Sequence, residues 1–499
     1  MVVAAIDAGT TGVRCMIVDK AGKTIALSRR SWTYSTPEYF EVAKEFDPKH
    51  FWDLACTVVR EAIDIASHKG SMVEGIATTS QRHGMVLLDE SGIELHGGPN
   101  IDARGSMTQY VIEDEIGEDY HAITGCWPPM MFAPTRIAWF EEEEPEIFES
   151  IAHVLPISDW LTFRLSGEYV TEPASASATG FYDIKRDEWS QRVLDALNLE
   201  MSILPKISQS GQVVGEITEQ ASKECNLPKG IPVIQGGTDT HCALLAAQVE
   251  LSEIGIIAGS TTPVMLVTED NICDEKMRVW TGRHVIPTQY TIESNATLTG
   301  AYLEWIVNLL CERAKKPDLC KKNTFGNLEN LLKDVPPGSD ETMVGLGPNI
   351  MDSTKITNIP LARMMFPQPA LPSVKPLNAS TLIHAVLENI AYSIRGNCEQ
   401  LNEMSEVKGI KAIGGMTRSH VWVQMLANIL GKEIRTPVQY EGSLVGAAIC
   451  ASVGIGCYSD LEKAGESMVR WNETFLPDER SKDYESYYAK WKEMWCEAS

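Results

Sequence analysis

The chain opens on an apolar, β-branched run, Val2-Val3-Ala4-Ala5-Ile6, then a polar cluster, Asp7-Ala8-Gly9-Thr10-Thr11-Gly12, then a second run, Val13-Arg14-Cys15-Met16-Ile17-Val18-Asp19. Such runs on either side of a Gly/Thr cluster predict two strands and a tight turn. Lys20-Ala21-Gly22-Lys23 predicts a further hairpin. Phe51, Leu54, Ala55, Val58, Val59, Ala62 and Ile63 recur at helical spacing between Phe51 and Ile65. Val73 to Thr79 then predicts a short strand feeding the polar cluster Ser80-Gln81-Arg82-His83-Gly84. Strands alternating with helices predict an α/β protein.

The opening pattern returns once. Gly255-Ile256-Ile257-Ala258-Gly259-Ser260-Thr261-Thr262-Pro263-Val264-Met265-Leu266-Val267 is again a strand, an Ala-Gly-Ser-Thr-Thr turn and a returning strand, with Gly259 lying 250 residues after Gly9. The 499 residues also exceed the about 250 to 300 at which a single core stops growing. Both observations predict a duplicated two-domain architecture, with a boundary near residues 246–253 and domains at 1–248 and 249–499. Phe366-Pro367-Gln368-Pro369-Ala370-Leu371-Pro372 and Val335-Pro336-Pro337-Gly338 read as loops of the second half, and Glu141 to Glu144 as a solvated helix end.

Charge narrows the partners. The 43 Lys and Arg against 68 Asp and Glu leave a net charge of −25, a field that repels nucleic acid and anionic membrane surfaces. An anionic substrate must therefore be met locally, by backbone N–H groups, placed basic residues or a metal ion. The 12 cysteines form no C-x-x-C pair, which reads as free thiols in a reducing cytoplasm. The start, Met1 to Asp7, does not resemble a signal peptide, and no apolar stretch reaches the about 18 to 20 residues of a membrane span. Val445 to Tyr458 comes nearest, but Gly446, Gly454 and Gly456 fit a tightly packed internal helix. The expected location is the cytoplasm, and a homodimer is left open.

No G-x-x-x-x-G-K-[ST] loop, H-E-x-x-H or well-placed G-x-G-x-x-G is present, which removes the main support for a Walker-type ATPase, a zinc protease or a dinucleotide oxidoreductase. Three Gly/Thr turns remain. Asp7 to Thr11 offers N–H groups and hydroxyls beside a carboxylate, suited to phosphate oxygens and Mg²⁺, although a plain hairpin has the same composition. Ile234-Gln235-Gly236-Gly237-Thr238-Asp239-Thr240-His241-Cys242-Ala243 follows a strand and opens an apolar helix, with Asp239 either a functional carboxylate or an N-cap. Ile413-Gly414-Gly415-Met416-Thr417-Arg418-Ser419-His420 could lay a flat ligand against two glycines, or be only a capped strand-to-helix turn.

These turns, in this order, resemble the FGGY family of carbohydrate kinases over nearly the whole chain. The Gly259-Ser260-Thr261 turn and the segments Gln81 to Gly84, Asn100-Ile101-Asp102-Ala103-Arg104 and Ser158-Asp159-Trp160-Leu161 add to the match. The resemblance implies two actin-like (ribonuclease H-like) domains around a central cleft, and phosphoryl transfer from MgATP to a small sugar or polyol. It further implies that Asp239 accepts the proton of the acceptor hydroxyl, and that Asp7 and Asp239 meet Mg²⁺ mostly through water. Thr10, Thr11, Arg14, Gly259, Ser260 and Thr261 would face the phosphates, and Gly414, Gly415 and Met416 the adenosine. Gln81, Arg82, His83, Asp102, Thr240 and His241 would join Asp239 around the acceptor, with Arg104 an alternative partner for Asp102.

Within the family, Pro156 to Leu161, His284 to Pro287, Ile292 to Ser294 and Met468 to Thr474 resemble the autoinducer-2 kinases, whose acceptor is an open-chain five-carbon dihydroxy ketone hydrate. Xylulokinases, or other ketose and polyol kinases, are the alternative. Gln81-Arg82-His83 combines the Arg of glycerol-type kinases with the His of xylulokinases, and Thr240-His241 departs from all three patterns. A non-catalytic actin-like nucleotide-binding protein is the rival of a different class.

Overall fold

The computed structural model describes residues 1–38, 40–314, 331–356, 361–368 and 375–496. The first predicted hairpin forms as antiparallel strands Val2–Gly9 and Gly12–Asp19, with Gly9 opposite Gly12, so the turn shrinks to Thr10 and Thr11. Gly12 has no alternative: a Cβ there would lie 2.2 Å from the Arg30 carbonyl oxygen of the next strand. The six-stranded sheet runs Val213–Glu216, Pro232–Thr238, Gly75–Ser80, Val2–Gly9, Gly12–Asp19, Thr24–Ser31. The strands Val2–Gly9, Gly75–Ser80 and Pro232–Thr238 are parallel neighbours, so their carboxyl ends meet at one edge. The helix Pro48–His68 covers one face with Phe51, Trp52, Ala55, Val58, Val59 and Ala62.

The second half repeats the plan. Its five-stranded sheet runs Trp280–Arg283, Tyr290–Leu298, Thr261–Thr268, Glu253–Ile257, Gly409–Ile413. Again a hairpin leads, and the first strand of that hairpin pairs in parallel with a later one, Ile257 standing opposite Ile413. A single parallel bridge from Lys411 to Arg435 stands where the first sheet has the full strand Pro232–Thr238. The 250-residue repeat thus extends from a turn to a sheet plan.

Two helices lie between the sheets, Asp239–Ala246 and Gly442–Gly454, in an apolar cluster drawn from both halves. They cross closely at Gly446, where a Cβ would fall 2.0 Å from the Cys242 carbonyl oxygen. The apolar stretch at Val445 is therefore the internal helix its glycines predict. No helix among the described residues is long and apolar enough to cross a membrane. Glu141 to Glu144 are exposed at the end of the helix Ala133–Glu143. Residues 366–368 carry no regular secondary structure, and the rest of the Pro-rich stretch, 369–372, lies outside the described residues.

Candidate active site

The carboxyl ends of the parallel strands deliver Asp7, the Gln81 to His83 segment and Asp239 to one place. Asp7 is fully buried. Its Oδ2 accepts from Ser443 Oγ at 2.6 Å and from the Arg14 guanidinium, while Oδ1 has no protein partner. Arg14 also grips Glu441, and its pKa rises: burial works against the charge, but Asp7 and Glu441 outweigh it. Arg14, expected at the phosphates, is thereby tied to two carboxylates. The buried orphan oxygen of Asp7 is what a hydrated cation beside bound phosphates would satisfy. Among the described residues no group of three or more His, Cys, Asp or Glu side chains gathers to hold a metal alone.

Thr10 and its neighbours are held in place. The Thr10 carbonyl accepts from Tyr34 Oη at 2.6 Å and Trp32 Nε1 at 3.3 Å, and its hydroxyl accepts from Asn100 Nδ2 at 3.1 Å. Thr11 is exposed. Gln81 is buried and donates to Tyr34 Oη at 2.9 Å and Gly9 O at 3.4 Å, while its Oε1 accepts from Asn100 N at 3.1 Å. Asp102 accepts from Lys44 N at 3.1 Å, Arg104 N at 3.3 Å and Arg104 Nε at 2.8 Å. Gln81 and Asp102, expected around the acceptor, thus spend their hydrogen bonds on the loops that shape the site.

The strand Pro232–Thr238 runs on through Gly236 and Gly237, with a register shift between Ile234 and Gly237, where the sequence suggested a turn. Thr238, not Asp239, is the N-cap, and Asp239 is the first helical residue, with Oδ1 accepting from Thr240 N at 2.7 Å. Burial and the nearby Asp7 push the Asp239 carboxyl up to about 7, against the pull of Arg82 and Arg14. Thr240 is buried beside it. His241 is satisfied at both nitrogens, Nδ1 to Thr238 Oγ1 at 2.6 Å and Nε2 to Thr291 Oγ1 at 3.1 Å, so it bridges the halves. Burial, then His284 and Arg82, hold its pKa well below the usual histidine value.

His83 occupies the left-handed region at φ 62°, uncommon for a non-glycine residue. Two bonds hold it there: Arg136 Nη1 donates to its carbonyl at 2.6 Å, and its own Nδ1 donates to Ala178 O at 2.9 Å. Nε2 is then a bare acceptor, buried and without a protein partner. Burial, aided by Arg82, pushes the imidazole down to about 3, so it is neutral at physiological pH. Phe132 and Trp280 meet the ring edge-on at centroid distances of 5.1 and 5.4 Å. Arg82 pairs with Glu293 from the second half. Arg82, His83, His241, Trp280, Thr291 and Glu293 line a cavity of about 30 Å³.

In the second half, Gly259 N lies 3.0 Å from Thr261 O, and Ser260 and Thr261 are exposed. Gly414 sits beside this turn at φ 123°, and a Cβ there would lie 2.4 Å from the Ala258 carbonyl oxygen. Gly415 differs: nothing stands within 4 Å of where its Cβ would be, leaving an open, flat backbone surface. Met416 donates from its backbone to Ala258 O at 3.1 Å and is buried. Ser419 caps the helix His420–Leu430.

Sequence reasoning missed Glu293, Glu441, Ser443 and Thr291 as members of this cluster. The signal available for two of them was Glu441-Gly442-Ser443 at the start of an apolar helix, placed as Thr238-Asp239-Thr240 is at the start of its own. Glu293 stood in the segment Ile292 to Ser294, which marked a family branch and not a place in the site, and Thr291 carried no signal, because a strand residue reveals nothing of what lies opposite its face.

Models of the FGGY family of carbohydrate kinases match the chain in order, the N-terminal domain at residues 2–246 and the C-terminal domain at residues 254–455. A protein named autoinducer-2 kinase from Yersinia pestis bv. Antiqua (strain Angola) is 30% identical over 503 residues, covering 99% of this chain and 94% of that protein. The crystal structure of xylulose kinase from Rhodospirillum rubrum superposes with a TM-score of 0.84 at 24% identity, over 99% of this chain and 98% of that one. Plasmodium falciparum glycerol kinase with ADP gives a TM-score of 0.82 at 17% identity, over 99% and 97%. The fold is accordingly that of two actin-like (ribonuclease H-like) domains. FGGY kinases use ATP as co-substrate, generally with Mg²⁺. With both family models matched across its two halves, the chain belongs to the FGGY family of carbohydrate kinases and is an ATP-dependent sugar kinase.

Proposed function

We propose that the protein transfers the γ-phosphoryl group of ATP to a hydroxyl of a small open-chain polyhydroxy ketone of the autoinducer-2 type, with Asp239 as the base. The observation that carries this reading is Asp239 itself. It is a carboxyl with a pKa raised to about 7, at the end of a strand and beside a largely apolar cavity that carries one acceptor, His83 Nε2, and one donor, Arg82. A base poised near the working pH suits proton acceptance from an alcohol as the phosphoryl group arrives. The acceptor branch is supported by the 30% identity to a protein named autoinducer-2 kinase, together with the segments Pro156 to Leu161, His284 to Pro287, Ile292 to Ser294 and Met468 to Thr474.

In this reading the Thr10, Thr11, Ser260 and Thr261 turns face the phosphates, and Gly415 gives the adenine a flat surface without a side chain. Mg²⁺ would be held by Asp7, through its unpartnered Oδ1, and by Asp239, largely through water, and would neutralise phosphate charge. Arg82 and His83 orient the acceptor, while Gln81 and Asp102 support the loops. Closure of the two halves over a bound acceptor would exclude water from the reaction. The scattered thiols, nine of them free among the described residues, support a cytoplasmic setting. ADP release measured over a panel of five-carbon dihydroxy ketones, xylulose, glycerol and aldoses tests the assignment. Stimulation by xylulose above the open-chain ketone would replace the substrate, and stimulation by no member would favour a non-catalytic nucleotide-binding role.

A further inference from the structure

Glu293 lies on the strand Tyr290–Leu298 of the second half and reaches the first half, where its carboxylate takes both arms of the Arg82 guanidinium. Arg82 Nη2 donates to Oε1 at 2.7 Å and Nη1 donates to Oε2. Asn295 Nδ2 donates to the same Oε1 at 3.0 Å, which holds the carboxylate in turn. The pair is largely enclosed, with the Glu293 side chain 3% and the Arg82 side chain 11% exposed. The Arg82 side chain makes its hydrogen bonds to Glu293 alone among the described residues, and both groups line the cavity with His83, His241, Thr291 and Trp280.

We propose that Glu293 is a positioning residue for phosphoryl transfer: from the opposite half, it holds the Arg82 guanidinium against the acceptor. The inference rests on reading the cavity as the acceptor site. An arginine has four freely turning side-chain bonds, and a bidentate carboxylate fixes both the position and the plane of the guanidinium at once. Without that grip, Arg82 has only solvent and the neighbouring carboxylates of the site to turn to, and in either place it no longer faces the acceptor. The pair also couples acceptor recognition to closure. Arg82 is correctly aimed only when the second half stands against the first.

The test compares Glu293→Gln, near-isosteric so that packing is preserved, with Glu293→Asp, Arg82→Ala and the Arg82→Ala/Glu293→Gln double variant. Steady-state constants are measured with ATP and the panel member that wild type phosphorylates best. Glu293→Gln is expected to raise the acceptor KM by about tenfold or more with the ATP KM unchanged. Glu293→Asp, which retains the carboxylate, recovers part of that loss. The double variant is no worse than Arg82→Ala alone, because Glu293 acts through Arg82. An unchanged acceptor KM in Glu293→Gln overturns the proposal, and so do losses that add in the double variant. Thermal midpoints of wild type, Arg82→Ala, Glu293→Gln and the double variant, taken without acceptor, give the Arg82–Glu293 coupling independently of turnover. No coupling there also overturns it. A wild type that phosphorylates no panel member while the coupling is present sinks the acceptor reading, and the positioning role with it, but leaves the cross-half pair standing.

Discussion

Ser443 donates a hydrogen bond to Asp7 at 2.6 Å, joining residues 436 positions apart at the two ends of the chain. Ser443 belongs to a helix that follows the second sheet, and Asp7 to the first strand of the first sheet. The bond uses one oxygen of the carboxylate and leaves the other, Oδ1, free of protein partners. We predict that Ser443→Ala lets Asp7 turn and lowers kcat about tenfold, with little change in acceptor KM. Steady-state kinetics at saturating acceptor would show it, and unchanged kcat would mean that Arg14 alone suffices to orient Asp7.

Asp239→Asn should lower turnover by about 10² to 10⁴, the range for a lost general base, while ATP binding stays near wild type. Isothermal titration with ATP beside an ADP-release assay separates the two. Near-normal turnover would remove Asp239 from the role given to it.

The pKa of about 7 at Asp239 predicts how both rate and stability respond to pH. The base works ionised, so kcat/KM for the acceptor should climb as pH rises through about 7. Stability runs the other way. Burial raises the folded-state pKa above the unfolded value, so the folded form holds a proton that the unfolded form has released, and this group's contribution is lost between about pH 4 and 7. Asp239→Asn carries no such penalty and should melt about 2–4 °C above wild type at pH 8, with the gap closing below pH 4. Equal melting at both pH values would contradict the buried-carboxylate account.

His83 is neutral across the working range, because its pKa lies at about 3. We predict that His83→Ala raises the acceptor KM about tenfold, through the lost Nε2 acceptor, with no new pH dependence between pH 6 and 9. A variant whose pH profile lost an inflection in that range would show that His83 titrates there.

Gly446→Ala should destabilise the protein by about 1–3 kcal/mol, since the new methyl would sit 2.0 Å from a backbone oxygen that cannot move freely. The oxygen belongs to Cys242, on the helix that begins at Asp239, so turnover should fall as well. Thermal unfolding and kcat on one preparation check both. A variant as stable as wild type would mean that the helix crossing is looser than the distance implies.

Much of the plan is local and was therefore legible. The hairpin at Thr10-Thr11, the second at Ser260, the strand expected at Val73 to Thr79, which forms as Gly75–Ser80, and the glycine-bearing internal helix all follow from apolar periodicity and turn residues within a dozen positions. The length of the strand before Asp239 was less legible. Gly236 and Gly237 read as a turn, yet the ladder to Thr79 and Ser80 carries the strand through them, because tertiary pairing overrides a glycine's weak strand preference. The occupancy of side chains was not legible either. Gln81 and Asp102 have the chemistry to bind hydroxyls, and only folding shows their hydrogen bonds going to Tyr34, Asn100, Lys44 and Arg104.

By itself the sequence determined the two-fold repeat, the Gly/Thr turns, the family resemblance and the need to meet phosphate charge locally in a chain of net charge −25. These are properties of neighbouring residues and of composition, which do not depend on where distant segments go. Tertiary structure alone decided that Arg82 meets Glu293, that Ser443 closes on Asp7, and that Asp239 is enclosed enough to hold its proton up to about 7. The physical reason is that ionisation and hydrogen bonding respond to what lies within a few ångströms, and in this site those neighbours stand far apart along the chain, for Glu293 and Ser443 in its other half.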